Sequence, residues 1–198
     1  MTQRDPEDVA AYDEAAAQVW VGEPKPLAGP IEIREYDPAW PELYEREAER
    51  IVAALGTRVV RLEHLGSTAV PGLPAKPIID VVLEVADSSD EASYAPDLEA
   101  AGYVLQIREP DWFEHRLLKS QEPNLNLHVF SAACSETEQM LLLRDWLRGN
   151  EADRDLYAKA KRELAARQWK YMQQYADAKS EIVADIMSRA RAGGAGTG

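Results

Sequence analysis

Cysteine is almost missing from this chain. Its 198 residues hold one, Cys134, which excludes an intrachain disulfide and fits a reducing compartment. Basic residues are also scarce: 22 Lys and Arg against 35 Asp and Glu leave a formal net charge of −13. That balance argues against an extended nucleic acid held mainly through its phosphates, because such proteins present basic faces to the polyanion. A local basic cleft is still compatible with it, since net charge says little about one site. No window approaches the ~18–20 apolar residues that span a bilayer, so no membrane partner is expected. The start, Met1-Thr2-Gln3-Arg4-Asp5, is polar and lacks the apolar segment of a secretory signal; the expected location is the cytoplasm.

What is present is an ordinary globular composition, 45% hydrophobic and 29% charged, on a chain long enough for one sizeable core. Residues 1–29 read as an acidic N-terminal extension. It holds an Ala-rich helix from Pro6 to Trp20 and a Pro/Gly-rich joint from Gly22 to Pro30. Residues 30–191 form the expected domain, and the Gly-rich end, 192–198, is expected to be disordered.

Within the domain, the alternation from Ile31 to Tyr36 predicts a half-exposed strand. Asp37-Pro38 caps a helix whose Trp40, Leu43, Tyr44, Ala48, Ile51 and Leu55 recur at helical spacing, with Gly56 as its stop. Further strands are read at Val59–Leu65, Ile78–Val85, Tyr103–Ile107, Phe113–Lys119 and Asn124–Phe130, and a helix at Asp90–Ala101. From Ser135 onward the pattern is helical, over Ser135–Gly149, Glu151 to about Tyr171, and Gln174–Ala190. The sum is an α+β fold: a mixed sheet of five or six strands covered by helices, with a helical C-terminal third.

One residue is out of place in this pattern. Asp80 lies among Ile78, Ile79, Val81, Val82 and Leu83, in a strand apolar enough to be central. An ionised carboxylate there costs several kcal/mol unless it is paired, hydrogen-bonded or metal-bound. Upstream, Gly66-Ser67 ends another apolar run. Glycine allows close backbone approach, and free N–H groups beside it favour an anion.

Gly66-Ser67 followed by Asp80 resembles the signature of the nucleotidyltransferase superfold. A longer set of residues resembles the GrpB family: Tyr36-Asp37-Pro38-Ala39-Trp40-Pro41, Glu63 through Leu73, Lys76-Pro77-Ile78-Ile79-Asp80 and Leu127-His128-Val129-Phe130. Arg144-Asp145, Leu147, Tyr157, Lys161, Tyr175 and Lys179 extend the resemblance, which spans roughly residues 31–187. It implies a nucleotidyltransferase-like fold, found in some bacteria fused to a CoA-biosynthesis kinase. It also implies that Gly66, Ser67 and Thr68 face nucleotide phosphates and that Asp80 reaches Mg²⁺ or another divalent cation, which prefers carboxylate oxygen and substrate phosphate. Catalytic members of the superfold carry a second acid two residues after the first; here that position is Val82.

Other ligands for the cation must then come from elsewhere. Glu84 shares the face of Asp80 but stands about 13 Å further along an extended strand. Asn124, Asn126 and His128 share a face of their strand. If that strand neighbours Asp80, His128 is placed to bind the metal with it or to act as a general base. Lys76 and Arg116, the latter with Lys119, are candidates for phosphate. His64, Glu84, Asn126, Lys161 and Lys179 are candidates for the rest of the cleft, His115 for its rim, and Trp112 and Phe113 for an aromatic wall. Cys134 reads as a small packing residue.

Three functions fit these residues. The first is metal-dependent transfer of a nucleotidyl group from a nucleoside triphosphate such as ATP, or ATP-dependent activation, onto a small molecule. The second is a binding module that keeps the cleft without the chemistry, and Val82 favours it. The third, a protein-binding role, has only the acidic extension behind it. The oligomeric state is left open.

Overall fold

The computed structural model describes residues 20–21 and 26–194. The Ala-rich segment from Pro6 lies outside the described residues except for its last member, Trp20. The described strands are β1 (Arg61–Leu65), β2 (Ile79–Val85), β3 (Val104–Glu109), β4 (His115–Ser120) and β5 (Leu125–Ser131). They form one sheet in the order β1-β2-β5-β4-β3, with β2 and β5 parallel and the other pairs antiparallel. The helices among the described residues are α1 (Ala39–Leu55), α2 (Ala95–Ala100), α3 (Ser135–Gly149), α4 (Glu151–Ala165), α5 (Met172–Asp177) and α6 (Ser180–Gly194). This is the α+β fold expected, with five strands.

The near-continuous apolar run of β2 follows from cover on both faces. Ile79, Val81, Leu83 and Val85 join the core with Ile51 and Leu55 of α1, Leu98 of α2, and Leu125, Leu127 and Val129 of β5. On the opposite face Val82 packs with Leu65, Phe130 and Leu141 of α3. The C-terminal helices close a further cluster, Val70, Leu73, Leu147, Tyr157 and Ile186, at the end of β1. Asp80 shares the Val82 face at the end that these helices do not fill.

Four expected elements differ. Ile31–Tyr36 is not a strand: Arg34 alone bridges to Ala75, with paired backbone bonds of 2.8 Å. Its partner segment is flanked by Pro74 and Pro77, which have no N–H to extend a ladder. The Asp90–Ala101 helix divides into a 3₁₀ turn at Glu91–Ser93 and α2, which takes Pro96 into its first turn. The helix expected to reach Tyr171 stops at Ala165. The Trp169 indole donates to the Leu164 carbonyl, and Gln174 Oε1 accepts from the N–H groups of Lys170 and Tyr171, capping α5 instead. The last helix likewise divides at Lys179, whose N–H bonds back three residues to Ala176, and then runs to Gly194. Ala192, Gly193 and Gly194 are therefore helical, and the rest of the expected tail lies outside the described residues.

The start of α1 is as read: Asp37 Oδ1 accepts from the N–H of Ala39 at 2.9 Å, and Gly56 closes the helix at φ 59°. No described helix is long and apolar enough to cross a membrane.

Candidate active site

A cavity of about 380 Å³ opens between the sheet face bearing Asp80 and helices α3, α4 and α5. That is a size suited to small molecules. Its floor is the junction of β1 and β2. Gly66 leaves β1 at φ 67°, and a Cβ there would overlap Oδ2 of Asp80. Only glycine combines that backbone conformation with so close a carboxylate. Gly66→Ala is expected to displace Asp80 and lower stability by about 1–3 kcal/mol through backbone strain. Denaturant melts and ligand titrations check this; wild-type affinity in the alanine variant would contradict it.

The turn after Gly66 is stitched from behind. Thr68 is buried; its hydroxyl donates to the Ile78 carbonyl at 3.3 Å and lies 3.1 Å from Nε2 of His64. His64 stacks on Tyr44 at 4.7 Å, and burial drops its pKa to about 4, so the ring is neutral at physiological pH. His64 thus supports Thr68 from outside the cavity lining.

Asp80 keeps 29% of its side chain exposed, toward the cavity. Asn126, directly across the parallel pair, donates to its Oδ1 at 2.8 Å, and Nε2 of His128, one step on, stands 3.8 Å away. Burial pushes the carboxyl pKa up, but His128, Asn126 and the Lys76 charge outweigh it and hold it below the usual value. The expected neighbour of Asp80 is therefore present. Asn126 Oδ1, however, is buried with no partner.

Lysines complete the wall. Lys76, Lys119, Lys161 and Lys179 all line the cavity, and among the described residues Asp80 is the one acid that does. Lys161 is 3% exposed; its ammonium donates to Ser67 Oγ at 2.9 Å and to the Pro74 carbonyl, over the Tyr157 ring. Burial, then Lys179 and other cations, lower its pKa to about 6. The Lys76 and Lys179 ammoniums lie 5.3 and 4.9 Å from the Tyr175 ring centroid. Burial and Lys179 bring Lys76 down to about 8. Lys76, Lys161 and Lys179 crowd together in a buried setting, and charging all three is costly unless an anion enters.

Two candidates fall elsewhere. Arg116 is not at the phosphate end: Arg116 and Lys119 are three residues apart on β4, so alternation sends them to opposite faces. Arg116 is buried against Glu91 at 2.5 Å, and Lys119 has the cavity. Glu84 is 3% exposed, two alternations along β2, with Arg61 at 3.9 Å, and it does not reach the cavity. Trp112 and Phe113 do not wall it either; they sit at the β3–β4 tip, Trp112 against His115 and Phe130. Cys134 packs beside the Leu65–Phe130 cluster.

Lys119, expected beside Arg116, lines the cavity without it, and Tyr157 and Glu109 are not among the residues the sequence marks for the cleft. Glu109 Oε2 lies 2.7 Å from Nδ1 of His115, whose Nε2 lies 3.1 Å from Nδ1 of His128. Strand parity signalled Lys119; no local pattern marked the others.

A Gly-Ser turn leaving one strand, an aspartate on the next and lysines from the C-terminal third thus meet in one cavity. The family model described as GrpB protein matches residues 30–189. The chain belongs to the GrpB family. It is 57% identical over 180 residues to a UPF0157 protein of Halalkalibacterium halodurans, covering 91% of this chain and 92% of that one. The crystal structure of conserved protein GrpB from Enterococcus faecalis overlays with a TM-score of 0.70 at 29% identity, over 80% of this chain and 96% of that one. A dephospho-CoA kinase of Mycobacterium tuberculosis is 29% identical over 223 residues, 93% of this chain and 54% of the kinase.

Proposed function

We propose that this protein binds a nucleoside triphosphate, ATP being one example, with a divalent cation, and transfers its nucleotidyl group to a small-molecule acceptor or uses it to activate one. The observation that carries the reading is the convergence of Lys76, Lys161 and Lys179 on the cavity that also holds Asp80 and the Gly66-Ser67 turn. A polyphosphate supplies the negative charge that this wall lacks. Ser67, Lys161, Lys76 and Lys179 hold phosphate oxygens; Asp80 holds the cation, with Asn126 and His128. The fit is supported by Asn126 Oδ1, a buried acceptor without a partner beside Asp80. When bound, such a cation withdraws charge from the phosphates and orients them for displacement. Lys161 contributes by taking up a proton as the phosphate charge arrives, so the positive charge appears only with the ligand.

A second reading is a nucleotide- or phosphometabolite-binding module without turnover. Val82 favours it: the position two residues past Asp80 is fully buried in the Leu65–Phe130–Leu141 cluster, so β2 offers the cavity a single acid, Asp80.

A panel of ATP, CTP, GTP and UTP, each with Mg²⁺ or Mn²⁺, is the test, read first by thermal shift. Saturation at a hundred times Kd is expected to stabilise the fold by about 2.7 kcal/mol. Mass spectrometry of mixtures with an acceptor pool then separates the readings. A new nucleotidylated or activated species supports transfer, stabilisation with no product leaves the binding module, and no shift with any nucleotide sinks both.

A further inference from the structure

We infer that Glu109 and His115 are positioning residues that fix the tautomer of His128, making it with Asp80 a carboxylate–imidazole site that selects a first-row transition ion over Mg²⁺. The inference rests on the proposed reading of the cleft and names its cation.

His115 opens β4 opposite Glu109 of β3, and it is 3% exposed, held between the rings of Phe130 (4.8 Å) and Trp112 (5.0 Å). An ionised carboxylate only accepts, so the 2.7 Å contact to Glu109 Oε2 places the His115 proton on Nδ1. In the neutral ring Nε2 then carries a lone pair. Its 3.1 Å contact is therefore donated by Nδ1–H of His128, which leaves His128 Nε2 with a lone pair as well.

That nitrogen faces Asp80 Oδ1 across 3.8 Å, beyond hydrogen-bond range. Two electron-pair donors thus face each other, Asp80 Oδ1 accepting besides only from the Asn126 amide N–H at 2.8 Å among the hydrogen bonds of the described residues. Ligands each ~2.0–2.2 Å from one ion stand about 3–4 Å apart, so a single cation between Asp80 and His128 resolves the pair. Mg²⁺ favours an all-oxygen shell, whereas imidazole suits the later first-row ions, and Mn²⁺ tolerates both. The Glu109–His115 pair occupies the place of the outer carboxylate or imidazole that orients a ligating histidine.

Two measurements on the full chain test this. Long-range ¹H–¹⁵N NMR of the metal-free protein should show His128 protonated on Nδ1; protonation on Nε2 would overturn the inference. Calorimetric titration should show Mn²⁺ binding at least about tenfold more tightly than Mg²⁺, a difference of about 1.4 kcal/mol. Glu109→Gln, which keeps shape at a partly exposed position, should weaken Mn²⁺ by about 10–100-fold while changing Mg²⁺ much less. Equal affinities for the two ions, or an unaltered Mn²⁺ affinity in Glu109→Gln, would equally reject the site. If nucleotide binds but no ion preference exists, this inference alone fails. If Mn²⁺ binds as described but no nucleotide does, the functional reading alone fails.

Discussion

Asp80→Asn should weaken binding of a nucleotide–cation complex by roughly 10²–10³-fold while leaving the nucleotide alone unaffected or slightly tighter. The variant removes the one acid that faces the cavity among the described residues and keeps the shape of the side chain. A unit charge acting on a cation at close range is worth about 3–4 kcal/mol at the effective dielectric of a protein site. Each 1.4 kcal/mol is about tenfold in affinity. Without the cation the sign reverses, because asparagine no longer repels phosphate. Calorimetric titrations with and without Mn²⁺ read both arms. Equal losses in the two would show that Asp80 serves the fold and not a cation.

The second large effect concerns stability. Lys161→Met should stabilise the unliganded protein by about 1–3 kcal/mol near pH 7 and flatten its pH dependence. The sign follows from the depressed pKa of about 6. Between pH 6 and the ordinary lysine range the unfolded chain holds a proton on Lys161 that the folded chain has released. Folding stability therefore rises with pH there, by about 1.4 kcal/mol per unit. Methionine removes that gradient, although the Pro74 carbonyl it leaves without a donor returns about 1–3 kcal/mol. Lys76, lowered to about 8, maintains a gradient above pH 8 in both proteins. Denaturant midpoints at pH 6.5, 7.5 and 8.5 decide it, and parallel slopes in variant and wild type would refute the assignment. The same variant should lose nucleotide affinity and the proton uptake that accompanies binding.

The centre of the site was legible in the sequence because it breaks local rules. An aspartate in an apolar run and a glycine-serine pair at a strand end are conflicts with packing, and such conflicts mark functional positions. Alternation along Asn124–Phe130 was enough to bring His128 and Asn126 beside Asp80 once β5 paired with β2. The same rule, left unapplied to β4, would have exchanged Arg116 for Lys119. What no local pattern carried was the helical wall. Lys161 and Lys179 sit at ordinary helical spacings, and their approach to Ser67 and Tyr175 depends on where α4 stops. That stop comes at Ala165 rather than the expected Tyr171, and Gln174, nine residues further on, takes the backbone donors of Lys170 and Tyr171. Glu109 was unreadable for a related reason, since its meaning comes from a histidine across a hairpin.

The bond between Lys161 and Ser67 joins residues 94 apart, whereas Asn126 and Asp80, which bring the sheet strands together, are 46 apart. Loop closure over longer separations comes at greater entropic cost, so the sheet has the shorter route to assembly. During synthesis, β1 to β5 leave the ribosome before the helices that carry the lysines. The nascent chain thus presents Asp80, Lys76 and Lys119 before Lys161 and Lys179 arrive, and the pocket gains its helical wall in the last stage of folding.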